Sequence, residues 1–166
     1  MPKAKYNNKF NSIQKKIIRF INETPGIRYR ELLRITGVSN GSLSYNLNLL
    51  NNSGVVRVNK VNDRVTRFFS RDVSTPEYNV IGLLRQNTTR KIIVYMLKYG
   101  PCHFNDIVNY THKAPSTISW HLSRLKDSKI IQGQQKNKHN YYDIKIDKFR
   151  LEKIINKYKS SLQKNH

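Results

Sequence analysis

Two short runs hold the side chains best suited to touch a nucleic acid: NGSLSYNLNLLNNSG from Asn40 and PSTISWHLSRLKDS from Pro115. Asn40, Ser42, Tyr45, Asn46 and Asn48 stand in the first. Ser116, Thr117, Trp120, His121 and Arg124 stand in the second. Hydroxyls, amides and a guanidinium hydrogen-bond base edges and phosphates, and large rings pack on sugars or thymine methyls. Helical spacing sorts each run into two flanks. Leu43, Leu47 and Leu50 fall together, with Gly41, Tyr45, Asn48 and Leu49 opposite. Ile118, Leu122 and Leu125 fall together, with Ser116, Trp120, Ser123 and Arg124 opposite and Thr117 and His121 at the border. The single tryptophan of the chain is therefore turned away from the core.

A second set is electrostatic. After each run come two alternating segments that read as paired strands: VVRVNK and RVTRFFS, then IIQGQQ and HNYYDIKI. Arg57, Lys60, Arg64 and Arg67 cluster on the first hairpin, and Lys136, Lys138 and His139 on the second. Such hairpins grip phosphates or reach a minor groove, contacts that add affinity and little sequence information. The whole chain is basic. Its 166 residues hold Lys+Arg 31 against Asp+Glu 10, a formal net charge of +21. Self-repulsion of that size opposes folding and points to a polyanionic partner, with nucleic acid ahead of an anionic membrane surface. Neutralising roughly 6–10 phosphates would make affinity fall about 10³–10⁵-fold between low and moderate salt.

The elements that position these sets occur twice. Lys16-Ile17-Ile18 recurs as Lys91-Ile92-Ile93, and the same offset carries Thr36 onto Thr111, Ser44 onto Ser119, Leu47 onto Leu122, Leu50 onto Leu125 and Ser53 onto Ser128. Conservative pairs fill the rest, among them Tyr45 with Trp120. The unit is about 60–70 residues, small but able to fold. Each reads helix, helix, helix, hairpin. In the first, Asn11 or Ser12 caps a helix with Ile13, Ile17, Phe20 and Ile21 on one side. RYRELLRIT follows, Gly37 supplies a left-handed turn residue, and Ser39 caps the third helix. In the second, His112 and Ala114 stand where Gly37 and Ser39 stood. Ala cannot cap, but Pro115 suits a first helical position and His visits the left-handed region more than most residues.

The expected divisions are a first unit over 9–72, a connecting helix over 73–86, a second unit over 87–146 and a final helix over 147–163. Thr75, Pro76 and Glu77 signal the start of the connecting helix, and Val80, Leu83 and Leu84 give it an apolar face. In the final helix Leu151, Ile154, Ile155, Tyr158 and Leu162 share one side. That stripe needs a cover, either the second unit or a second copy of the chain in a homodimer. The fold class expected is mainly α with small β-hairpin wings.

Three helices and a hairpin with a short turn before the third helix make a winged helix, whose third helix fits the major groove. TISWHLSRLKDSKII and SLSYNLNLLNNSGVV resemble the recognition-helix-to-wing stretch of ArsR/MarR-like regulators. The full order, with PEYNVIGLLRQNTTRKIIVYML between the units, resembles archaeal tandem winged helix-turn-helix transcriptional regulators over roughly residues 10 to 160. The resemblance implies a cytoplasmic DNA-binding regulator, and the first reading is a sequence-specific transcription regulator of double-stranded DNA. The turn at His112-Lys113-Ala114 departs from the usual pattern.

Other chemistry finds little footing. Cys102 is the one cysteine, so no internal disulfide forms and a reducing compartment fits. No thiols or histidines sit at metal-ligand spacing, no catalytic arrangement is suggested, and no glycine-rich phosphate loop appears. The expectation is no enzyme activity, no cofactor and no metal. The polar N-terminus lacks the apolar core of an export signal, and no apolar run is long enough for a bilayer. Two other readings stand beside the regulator: an architectural protein that binds DNA without sequence choice, and a winged-helix protein-interaction module. RNA is a further polyanion to test.

Overall fold

The computed structural model describes residues 9–62, 65–136 and 139–163, the side chains of residues 62, 136 and 163 excepted. Arg64, Lys138 and the Lys136 side chain, all expected at the hairpin tips, lie outside the described residues. The chain divides into two compact units, one ending at Tyr78 and one beginning at Asn79.

In the first unit α1 spans Ser12–Glu23. Asn11 is its cap: Gln14 N–H donates to Asn11 Oδ1 at 2.8 Å, and Asn11 N–H donates back to Gln14 Oε1 at 3.2 Å. This reciprocal pair satisfies two amides that the first turn otherwise leaves unpaired. The chain leaves α1 through Thr24 and enters a two-residue strand, β1 (Ile27–Arg28), then α2 (Tyr29–Thr36). Gly37 takes the left-handed conformation at φ 66° that the turn needs. Ser39 Oγ accepts from Ser42 N–H at 3.2 Å and opens α3 (Asn40–Asn52). The hairpin follows as β2 (Val56–Asn62) and β3 (Val65–Ser70).

The sequence led to a two-stranded hairpin, and the structure adds a third strand. β1 pairs antiparallel with β3, Ile27 opposite Phe68 and Arg28 opposite Arg67, so the order is β1-β3-β2 and β3 is central. β2 pairs on its other edge, Arg57 opposite Phe69 and Asn59 opposite Arg67, with an irregularity between Lys60 and Asn62. The core is the inner side of this arrangement: Ile17 and Ile21 of α1, Leu32 of α2, Leu43, Leu47 and Leu50 of α3, with Ile27, Val56 and Phe68 from the sheet.

The connecting helix exists as α4 (Thr75–Leu84), with Tyr78, Val80, Ile81, Leu83 and Leu84 buried. Its first turn belongs with the first unit, where Tyr78 stacks on Phe69 at 4.1 Å between centroids. Its remainder belongs with the second.

The second unit repeats the order: α5 (Asn87–Tyr99), β4 (Cys102–His103), α6 (Phe104–Thr111), α7 (Pro115–Asp127), β5 (Ile131–Lys136) and β6 (His139–Ile144). Its sheet runs β4-β6-β5, with Cys102 opposite Tyr142 and Ile131 opposite Ile144. His112 holds the left-handed turn at φ 52°, the role Gly37 has in the first unit. Ala114 occupies the cap position of α7 without a side-chain bond, and Pro115 is the first helical residue. Ile92, Ile93, Met96, Ile107, Ile118, Leu122 and Leu125 form the buried interior.

The final helix, α8 (Lys148–Gln163), starts where Arg150 N–H donates to Asp147 Oδ1 at 2.6 Å. Leu151, Ile154, Tyr158 and Leu162 are buried within the chain, and α8 packs on α5. Of the two covers left open by the sequence, the chain itself supplies one. Arg90 of α5 fixes the far end. Its Nη1 donates to the carbonyls of Leu84 at 3.0 Å and Leu162 at 2.6 Å, so one guanidinium meets the last turns of α4 and α8. Helix C-termini carry partial negative charge, which favours a cation there. Among the described residues no helix is long and apolar enough to cross a membrane.

Candidate nucleic-acid interface

Both outward flanks form as expected. On α3, Tyr45 is 64% exposed and Leu49 40%, with Gly41, Ser44 and Asn48 also in solvent, while Leu43, Leu47 and Leu50 are buried beneath. On α7, Trp120 is 53% exposed between exposed Ser116 and Ser123, while Ile118, Leu122 and Leu125 are buried. Large rings held in water at equivalent places of a repeat cost hydration free energy with no return from the fold. Thr117 and Ser42 are half-buried.

The flanks are braced. Tyr29 of α2 donates its hydroxyl to Asn40 Oδ1 at 2.7 Å and lies 3.0 Å from the Asn40 carbonyl oxygen, which ties α2 to the start of α3. Asn40 stays exposed, but its side-chain oxygen is already used. On α7 the half-buried Arg124 guanidinium sits over the Trp120 ring at 4.7 Å, a cation–π contact that holds both side chains in one arrangement.

Three of the expected residues do not reach the surface. Asn46 is 4% exposed, and its Nδ2 donates to the Ser42 carbonyl at 2.8 Å. His121 is 8% exposed, with Nδ1 and Thr89 Oγ1 of α5 sharing a hydrogen bond of 2.8 Å. Burial, and then the neighbouring Arg124, pushes the His121 imidazole below its ordinary value of 6.5, so it is held neutral. Asn46 and His121 occupy the same place in the repeat. Each unit turns that border position inward: His121 meets Thr89, and Asn46 donates through Nδ2 while its buried Oδ1 has no partner among the described residues. Arg67 is the third. It is 4% exposed, and its Nη1 donates to the Gly26 carbonyl at 2.7 Å. Its strand is central, not an edge, so its flanks are covered by β1 and β2.

On the wings Arg57 and Lys60 are exposed on β2, as is His139 on β6. The His139 ring meets His103 edge-on at 5.6 Å, and His103 lies 3.8 Å from Tyr141, its neighbour across the strands. Further exposed cations lie outside the expected set. Arg30 and Arg34 are exposed on α2, and Lys113 is exposed in the turn before α7. The i, i+4 spacing of the two arginines was the available signal, since it places them on one side of a helix.

Cys102 is buried, its Sγ 3.9 Å from the Tyr142 carbonyl oxygen, and burial raises its thiol to about 11, with Asp106 and Asp143 adding to the effect. A thiol in that state is a small core side chain, not a nucleophile. The described residues bring together no group of three or more His, Cys, Asp or Glu able to hold a metal ion.

Comparison with known proteins falls on the same two segments. The family model described as winged helix-turn-helix DNA-binding matches residues 10–57, from the start of α1 into β2. The model described as bacterial regulatory protein, arsR family, matches residues 87–132, from α5 into β5. A protein of Methanocaldococcus jannaschii named as an uncharacterized HTH-type transcriptional regulator is 23% identical over 133 residues. That match takes in 80% of this chain and 33% of the relative, so the chain spans about a third of the length of the curated relative it matches. Each match falls where the coordinates place three helices and the start of a wing, and the fold, two winged helix-turn-helix units in tandem, is similar over those segments to winged helix-turn-helix DNA-binding and arsR-family proteins.

Proposed function

We propose that the chain is a sequence-specific regulator of transcription that binds double-stranded DNA. α3 and α7 enter the major groove, and the wings carry phosphates or reach the minor groove. The carrying observation is the outward placement of Tyr45 and Trp120 at equivalent points of two helices whose other flank is all core. The net charge of +21 supports a polyanionic partner, and the relative named as a transcriptional regulator supports a gene-regulatory role. Asn40, Ser42, Tyr45 and Asn48 would face the duplex from the first unit, and Ser116, Thr117, Trp120 and Arg124 from the second. Arg57, Lys60 and His139 would serve on the wings, together with Arg64, Lys136 and Lys138.

Fluorescence anisotropy on duplex oligonucleotides tests this reading. Trp120→Ala is expected to narrow the gap between preferred and random sequence. Arg57→Ala is expected to weaken binding on every sequence alike and to lower the salt slope by about one. If both variants bind as the parent does, the assigned face is wrong. If the parent retains no duplex even at low salt, the regulator reading fails as a whole.

A further inference from the structure

We infer that the two recognition helices read different bases: α3 takes adenine–thymine pairs through Asn48, Tyr45 and Leu49, and α7 takes guanine through Arg124. This rests on the DNA-binding reading above and adds which base each unit selects.

The helices occupy the same place in the repeat but present opposite chemistry. α3 carries no acidic or basic side chain from Asn40 to Asn52. Its exposed flank is apolar and amide: Tyr45 and Leu49 lie one turn apart, with Asn48 beside them. Val58 and Val61 of β2 extend the apolar character into the wing. In the major groove the apolar group on offer is the thymine methyl, and an amide with both ends free matches adenine N6 and N7 as donor and acceptor together.

Asn48 meets that requirement and the neighbouring asparagines do not. Asn40 has its Oδ1 occupied by the Tyr29 hydroxyl, and Asn46 is buried with its Nδ2 on the Ser42 carbonyl. Asn51 and Asn52 are the final two residues of α3, past Leu49 and the place that Arg124 holds in the repeat, and so lie farthest from the end that a recognition helix presents to bases. Asn48 is exposed, and its side chain makes no hydrogen bond to another described residue.

In the second unit the repeat puts Arg124 where Leu49 stood, Ser123 where Asn48 stood and Trp120 where Tyr45 stood. The Arg124 guanidinium carbon lies over the Trp120 ring, 4.7 Å from its centroid. A guanidinium held over an aromatic ring keeps N–H donors of its fork for a partner and loses rotamer freedom before binding. Two parallel donors fit guanine O6 and N7.

The experiment is selection of duplexes from a random pool with the full chain, repeated for Asn48→Ala and Arg124→Lys after circular dichroism has verified the fold of each. The parent is expected to return two unlike blocks, one of A·T pairs and one containing guanine. Arg124→Lys keeps the charge and loses the fork, so discrimination at the guanine should fall about 5- to 150-fold while the A·T block stands. Asn48→Ala should relax the A·T block by a similar factor and leave the guanine. Two blocks of the same composition would overturn the inference and leave DNA reading intact. So would an Arg124→Lys loss spread evenly over all sequences, because that is the mark of a phosphate contact. A pool returned with no motif, though bound in a salt-dependent way, overturns both the base assignment and sequence-specific regulation. No retained duplex overturns DNA binding itself.

Discussion

Thr89 Oγ1 of α5 and His121 Nδ1 of α7 share a buried hydrogen bond of 2.8 Å, which ties the exposed helix of the second unit to the first helix of the same unit. Burial depresses the His121 imidazole in the folded state, whereas in the unfolded chain it titrates near its ordinary 6.5. Below that value the unfolded chain binds a proton that the folded chain refuses, so stability falls as pH drops and levels off once the folded imidazole also protonates. Melting of the parent from pH 8 to pH 5 should show this decline. His121→Asn, which copies Asn46 of the first unit, should flatten it. Thr89→Val should cost about 1 kcal/mol at pH 8, the worth of one neutral hydrogen bond. Equal pH slopes in parent and His121→Asn would assign the decline to other groups.

The two helix starts differ by one hydroxyl. Ser39 sits at φ −64° and ψ 153° and caps α3, while Ala114 sits at φ −55° and ψ 143° with no side-chain bond. The backbone of Ala114 is therefore ready for a cap. Ala114→Ser should stabilise the second unit by about 1 kcal/mol, and Ser39→Ala should destabilise the first by about as much. Denaturant titration of both variants checks the pair. A neutral Ala114→Ser would mean that Pro115 has already set the start of α7.

Arg67 and Arg57 lie on adjacent strands of one sheet and should behave oppositely. Arg67→Ala removes a donor to the buried Gly26 carbonyl and should cost about 1.5–3 kcal/mol of stability. Arg57 is exposed, so Arg57→Ala should leave the melting curve in place and act on salt-dependent DNA affinity. Denaturant melts and anisotropy at two salt concentrations separate them. Arg67→Ala that melts like the parent but binds with a lower salt slope would return Arg67 to the surface set.

Arg90 should govern how firmly α8 is held. Arg90→Met keeps much of the aliphatic stem and loses the donors to Leu84 and Leu162, at a cost of about 1.5–3 kcal/mol. Hydrogen exchange should quicken first in the last turn of α8. Ending the chain before Asp147 should do more, since it uncovers the face that Leu151, Ile154 and Tyr158 bury. Light scattering of that shortened chain should register association, and unchanged exchange in Arg90→Met would show that apolar contacts alone hold the helix.

Much of the fold was legible because its signals are local. Gly37, Ser39 and the spacing of Leu43, Leu47 and Leu50 announce a turn, a cap and a buried flank within a dozen residues. The offset that carries Lys16-Ile17-Ile18 onto Lys91-Ile92-Ile93 then gave the second unit, including a left-handed residue at His112. What stayed hidden depends on distant partners. β1 and β4 are two residues long, too short for any period to register, and their existence decides that β3 is central and Arg67 covered. In the same way a helical wheel puts His121 at a border, and only Thr89, on another helix, decides which way it turns. Tyr45 and Trp120 were readable as outward because Leu43, Leu47 and Leu50 in one helix, and Ile118, Leu122 and Leu125 in the other, already filled the opposite flank.

Leu49 and Arg124 hold the same place in two units of one polypeptide. Identical subunits about a twofold axis show the same surface twice, which suits a palindrome. Unlike modules joined in tandem need no such symmetry. On the base assignment proposed above, a duplex that satisfied both would have a head and a tail, and one molecule bound to it would point along the strand like an arrow, with no second copy required to set the direction.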